Sequence, residues 1–147
     1  IIRYADVLLM AAEAAVETGD LATALNYVNQ VRERAANTSV VQAVDGGGPA
    51  ANYQVGTYAS FPDANFAREA VRFERRVELG MEGHRLFDLR RWDVADQVIS
   101  EYVTNETRTI DNFGPKMNAY QPQFDLMPIP LTSIDLSGGI LTQNPGY

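Results

Sequence analysis

Cysteine is absent from the chain, which excludes disulfide stapling, thiolate nucleophiles and the common zinc-site patterns. His84 is the only histidine, so a metal site or a nucleophile–base pair would have to draw its other parts from acids and serines. Positive charge is scarce too. The formal net charge is -7, which argues against a nucleic-acid partner, since that needs a basic footprint. No apolar run approaches the ~20 residues that span a bilayer, and no basic-then-apolar leader opens the chain. Ile1-Ile2-Arg3-Tyr4-Ala5 is already helical in pattern, with no initiator methionine and no capping residue ahead of it. The sequence therefore reads as a piece of a longer protein.

What remains is ordinary globular material, 46% hydrophobic and 21% charged over 147 residues, enough for a real core in one domain or part of one. Ala5, Leu8, Leu9, Ala12, Ala15 and Val16 share one face at helical spacing, with Asp6, Glu13 and Glu17 largely away from it. Gly19 ends that helix and Asp20 is placed to cap the next, whose stripe is Leu21, Ala24, Leu25, Val28, Val31 and Ala35. Residues 1–36 thus predict a helical hairpin of about one tetratricopeptide unit, the small Ala12 and Ala24 permitting close approach. The match is degenerate, because Ala36 stands where proline often closes such a unit. An unrelated hairpin is the alternative.

Residues 37–62 dissolve into a polar, glycine-rich loop around Gly46-Gly47-Gly48-Pro49. A loop beyond ~12–15 residues is usually functional or disordered. It carries no phosphate-loop signature, for no Lys-Ser/Thr follows the glycines. A bent helical segment is expected over 63–103, capped by Asp63 or Asn65, with an apolar stripe of Phe66, Ala70, Phe73 and Val77, a bend at Gly80 and Gly83, and a second helix from His84 to Val103. Residues 104–147 read as loops and an extended tail, with a turn at Asn112-Phe113-Gly114-Pro115 and prolines keeping Leu126-Met127-Pro128-Ile129-Pro130 out of helix. Leu131, Ile134, Leu136, Ile140 and Leu141 are expected to hold that tail against the helices.

Chemistry-bearing residues concentrate between Arg68 and Asp93, where seven of the eleven arginines alternate with six acids. Glu69 with Arg72, Arg75 with Glu78, Arg85 with Asp88 and Asp88 with Arg91 are three apart, the spacing at which side chains meet on one helix. The preference for arginine over lysine suits planar forks onto carboxylates and carbonyls, so a structural ion network is expected, with an anion-binding surface as its rival. Glu74 and Glu78 could be spaced for glycoside hydrolysis, but their basic neighbours favour ionised carboxylates over a proton donor. His84 before Asp88 is an ordinary helix pair before it is a catalytic one. Trp92, Phe87 and Leu89 suit packing. Tyr53 and Tyr58 in the long loop, with Asn52 and Gln54 flanking the former, are the candidate ligand-binding residues. A flat ring with a hydroxyl can stack on sugar C–H groups, and amides supply donors and acceptors; anchoring the loop is the competing role. Two Asn-x-Ser/Thr triplets, Asn37-Thr38-Ser39 and Asn105-Glu106-Thr107, are of the frequency chance provides and matter only in a glycosylating pathway.

Four ordered blocks carry a family likeness: Arg3-Tyr4-Ala5-Asp6-Val7-Leu8-Leu9, the helix from Val28-Asn29 to Arg34-Ala35, the block from Glu74 to Trp92, and the closing Gln143-Asn144-Pro145-Gly146-Tyr147. In these the chain resembles the carboxy-terminal part of the SusD/RagB family of glycan-binding outer-membrane lipoproteins. The resemblance implies an all-α fold on tetratricopeptide-like pairs with long loops forming a glycan-binding face; the residues themselves offer no catalytic set, no cofactor motif and no metal site. It also implies a parent lipoprotein on the outer face of a Bacteroidetes outer membrane, attached only through a lipid anchor and capping a TonB-dependent, SusC-like barrel that imports the bound oligosaccharide. The matched blocks are scaffold signatures, so no ligand residue is carried over from the family. A helical-repeat scaffold for protein or peptide partners is the alternative function.

Overall fold

A computed structural model of the chain describes residues 2–37, 42–113 and 120–147. Among the described residues the fold is all-α, with α1 Tyr4–Glu17, α2 Leu21–Ala36, α3 Ala64–Glu78, α4 Arg85–Arg91, α5 Ala95–Thr109 and α6 Leu131–Leu136. A 3-10 turn covers Pro122–Asp125. The chain divides into two compact units, Ile1–Gly83 and His84–Tyr147. No helix among the described residues is long and apolar enough to cross a membrane.

In the first unit the α1–α2 turn follows directly from two residue types. Gly19 adopts φ +83°, the left-handed conformation that glycine enters without steric cost. Its N–H donates to the Val16 carbonyl at 3.1 Å while the Asp20 N–H donates to that of Ala15 at 2.8 Å, the paired closure that satisfies a helix's last carbonyls. Asp20 then opens α2, its carboxylate accepting from the Thr23 N–H at 3.0 Å and the Thr23 hydroxyl at 2.6 Å. The anticipated stripes meet: Leu8, Leu9, Ala12, Ala15 and Val16 of α1 and Ala24, Val28 and Val31 of α2 are buried. Ala12 and Ala24 have no exposed surface at all, so their small side chains sit where the core is tightest.

α3 completes this core through a different face from the one its sequence suggests. Asp63 rather than Asn65 is the cap, accepting from the Phe66 N–H at 2.8 Å. Of the expected stripe only Ala70 is buried; Phe66, Phe73 and Val77 are exposed, and the inward face is Ala67, Ala70, Val71, Glu74 and Arg75. Two charged residues turn inward because ionic partners on α1 and α2 receive them, a compensation that helical periodicity cannot register. Asp6 is corrected for the same reason. It lies on the packed side of α1 at 3% exposure.

In the second unit the single helix expected from His84 to Val103 is two helices, α4 and α5. Asp93 takes φ 56°, a conformation that aspartate tolerates better than most residues. The Asp93 N–H closes onto the Arg90 carbonyl and the Val94 N–H onto that of Leu89, each at 3.0 Å, repeating the closure seen at Gly19 with aspartate in place of glycine. Because the signal is not glycine, the break is hard to read from sequence. The tail also differs from expectation: it includes α6, and Leu131, Leu136, Ile140 and Leu141 are exposed. Polar side chains organise it instead. The Gln143 amide accepts from the Ile129 N–H at 2.8 Å and donates to the Ile129 carbonyl at 2.9 Å. Asn144 donates to the Met127 carbonyl at 2.6 Å, and the Tyr147 hydroxyl to that of Leu126 at 3.1 Å. The prolines at 128 and 130 leave this segment extended and short of backbone partners, so these side chains supply them. The Gly114-Pro115 part of the expected turn, and Thr38 and Ser39 of the first Asn-x-Ser/Thr triplet, lie outside the described residues.

Candidate functional site

The charged residues of α3 reach across to other helices. Arg75 donates to Asp6 of α1 at 2.9 Å, with both side chains at most 5% exposed. Glu74 accepts from Arg32 of α2 at 2.7 Å, and Glu78 is held by Arg3 and by Arg34 of α2, each at 2.5 Å. Arg3 also donates to the Glu78 carbonyl, and its Nε lies 2.9 Å from each carboxylate oxygen of Glu82; Glu82 and then Glu78 hold its guanidinium well above the usual arginine range. Arg68 grips Glu17 of α1 at 2.7 Å. Within one helix, Glu69 and Arg72 lie 3.6 Å apart and Asp88 and Arg91 2.9 Å; Arg85 opens α4, one turn before Asp88. Arg75 and Glu78, three apart on α3, each also take a partner from another helix, Asp6 of α1 and Arg34 of α2 respectively. Residues three apart on a helix can meet, but a buried carboxylate on a neighbouring helix is a stronger claimant on a guanidinium.

In these pairs Glu74 is held by Arg32, and Glu78 by Arg3 and Arg34. His84 precedes α4 without a side-chain capping bond, and the Asp88 side chain meets Arg91. Trp92 carries the Arg91 guanidinium 4.8 Å from its ring centroid. Leu89 is buried, whereas Phe87 is exposed. Among the described residues no group of three metal-ligating side chains could hold a metal ion.

The four candidate ligand residues fall into two settings. Asn52 and Gln54 are exposed and Tyr53 is half-buried. The Gln54 side-chain amide donates to the Asn52 side-chain oxygen at 2.8 Å, so the two amides are joined to each other, with Tyr53 between them in sequence. Tyr58 is built into the fold. Its ring makes a T-shaped contact with Phe66 at 6.0 Å and a tilted one with Phe61 at 5.5 Å, and Arg32 lies 4.8 Å from its centroid. Its backbone N–H and carbonyl are both bonded by the Asn29 side chain at 2.9 Å. Asn29 and Arg32 are surroundings that sequence reasoning did not associate with the loop, although both fall within one of the four family-like blocks.

Concavities lie elsewhere among the described residues. One, of about 400 Å³, runs between the start of α1 and the end of α2, with Leu8 and Val31 on its floor and Arg3 and Arg34 at its rim. Another, of about 220 Å³, is lined by Arg90, Asp93, Asp96, Tyr120 and Asp125. There the Tyr120 hydroxyl donates to Asp125 at 2.7 Å, and burial, then that bond, pushes the phenol's pKa up.

The model of the SusD family matches residues 1–147. The chain belongs to the SusD family. Two SusD-like proteins of Formosa agariphila, P25 and P2, are 33% and 31% identical over 100% and 99% of this chain and 24% and 25% of their own lengths. A SusD homologue of known structure from Bacteroides thetaiotaomicron has a TM-score of 0.73 at 31% identity, covering 100% of this chain and 26% of that one. A SusD-like protein from Bacteroides fragilis has a TM-score of 0.67 at 28% identity, covering 99% and 25%. This SusD-family chain therefore spans about a quarter of the length of the relatives it matches. The all-helical architecture is shared with those solved structures.

Proposed function

We propose that the chain is part of a non-catalytic glycan-binding component of an outer-membrane nutrient-uptake complex, which hands oligosaccharide to a TonB-dependent, SusC-like barrel. Membership of the SusD family supports a nutrient-binding role in polysaccharide utilisation. The parent is a lipid-anchored protein on the outer face of the outer membrane, and residues 1–147 form its carboxy-terminal portion. The single observation that carries the local reading is the Asn52–Gln54 amide pair flanking Tyr53 on an exposed stretch of the loop. The ring offers an apolar face to sugar C–H groups, and the amides offer donors and acceptors to hydroxyls. Neither cleavage nor a cofactor is required, which agrees with carboxylates engaged by arginines. Tyr58 contributes through the loop it anchors.

The test is calorimetric titration of the full-length protein with hexasaccharides of glucose, xylose, mannose and galactose, repeated for Tyr53→Ala. Truncating an anchoring aromatic at a binding face costs more than about 1 kcal/mol, so a weakening of roughly fivefold or more is expected. Unchanged affinity in Tyr53→Ala would remove this stretch from the binding face. Release of reducing sugar that vanishes in Glu74→Gln would overturn the non-catalytic reading.

A further inference from the structure

Asn29 and Arg32 stand one turn apart on α2 and together seize the chain between Gly56 and Tyr58. Asn29 acts as a length of strand would. Its carbonyl oxygen accepts from the Tyr58 N–H and its amide donates to the Tyr58 carbonyl, both at 2.9 Å. Only a side-chain amide offers a donor and an acceptor side by side in this way, since aspartate lacks the donor and leucine lacks both. Arg32 divides its guanidinium among three tasks: Nε donates to the Gly56 carbonyl at 2.5 Å, one terminal nitrogen donates to Glu74 at 2.7 Å, and the plane lies 4.8 Å from the Tyr58 ring. Glu74 is 3% exposed, so Arg32 is itself held by a buried anion on α3. The loop is thereby tied to α2 through two side chains and to α3 through a relay.

We infer that Asn29 and Arg32 are positioning residues for the glycan-binding stretch Asn52-Tyr53-Gln54, fixing the loop before ligand arrives. This rests on the reading that the stretch binds glycan. The pinned Gly56 lies two residues beyond Gln54, so the last free bonds before the binding amides are few. Without the pins the loop samples many conformations, and ligand binding must bear the cost of ordering it. Lysine at position 32 keeps a charge for Glu74 but has no planar fork to serve Gly56 and the ring together.

The experiment pairs amide hydrogen exchange over residues 53–61 with calorimetry on the full-length protein, using whichever of the four hexasaccharides binds the wild type. Asn29→Ala is compared with Arg32→Lys and Tyr53→Ala. Two hydrogen bonds of typical net strength correspond to roughly a tenfold weakening, so Asn29→Ala is expected to exchange faster in the loop, to bind about tenfold more weakly, and to regain protection on adding the sugar. Arg32→Lys should fall between wild type and Asn29→Ala in both readouts. Unchanged loop exchange in Asn29→Ala overturns the inference at its first step. Faster exchange with unchanged affinity, while Tyr53→Ala loses binding, overturns positioning and leaves the binding reading intact. Unchanged affinity in Tyr53→Ala as well overturns both.

Discussion

Replacing Asp6 by asparagine removes one charge from a pair that the core surrounds. Asp6 and Arg75 are 3% and 4% exposed and meet at 2.9 Å, on α1 and α3 respectively. Charge centres about 4 Å apart attract by about 4 kcal/mol at an effective dielectric near 20, while desolvation costs several kcal/mol per ion. The intact pair is therefore near balance. The broken pair is not, because a buried guanidinium then lacks its anion, a situation that costs about 3–5 kcal/mol. Arg75 has further interactions, which places Asp6→Asn toward the lower end, at about 3 kcal/mol. The combined Asp6→Leu, Arg75→Met variant buries no charge at either position and should stand within about 1–2 kcal/mol of wild type. Urea unfolding of the full-length protein followed by circular dichroism measures both. A loss below about 1 kcal/mol in Asp6→Asn, or a double variant as unstable as the sum of its singles, would refute the claim that interhelical ion pairs close this core.

Two further outcomes follow from the turns and caps. Gly146 has φ +92°, and a Cβ there would lie 2.6 Å from the Gln123 Cβ; Gly146→Ala should loosen the tail, seen as faster exchange at the Ile129 amide, and an unchanged Ile129 amide would contradict the packing described. Asp20 is held below its ordinary carboxylate range by the Thr23 hydroxyl and then the Thr23 N–H, so its contribution to stability is complete above the unfolded value and vanishes as pH falls through the lowered folded value. Asn at position 20 keeps a cap that does not titrate. Between about pH 5 and pH 2 the urea midpoint of wild type should therefore fall more steeply than that of Asp20→Asn, and parallel slopes would exclude a role for this carboxylate in acid unfolding.

Local chemistry was the part of this chain most open to reading. Helical stripes placed α1 and α2, and Gly19 with Asp20 marked their junction because a left-handed residue followed by a capping side chain has a short list of amino acids. The break at Asp93 is not legible in the sequence because aspartate is an occasional, not a habitual, occupant of that conformation. On α3 the inward face is not the apolar stripe, because Phe73 and Val77 are apolar yet exposed while Glu74 and Arg75 are charged yet buried. Hydrophobic periodicity ranks single residues and does not register a carboxylate neutralised by a guanidinium 42 or 69 positions away. The same distance in sequence hid Asn29 and Arg32 from the loop they hold.

The sequence by itself determined the all-helical class, the α1–α2 hairpin and its caps, the exclusion of thiol and zinc-cysteine chemistry, and, through four ordered blocks, the SusD family. The hairpin, its caps and the exclusions depend on neighbours within one or two helical turns or on residue types alone, and the class and family on the likeness of those ordered blocks. Tertiary structure decided which arginine answers which acid, that Asp6 is interior, and that Tyr58 is gripped on ring and backbone while Asn52, Tyr53 and Gln54 stay more open. Those outcomes depend on helices packing side by side, and only packing brings distant charges and amides within hydrogen-bonding reach.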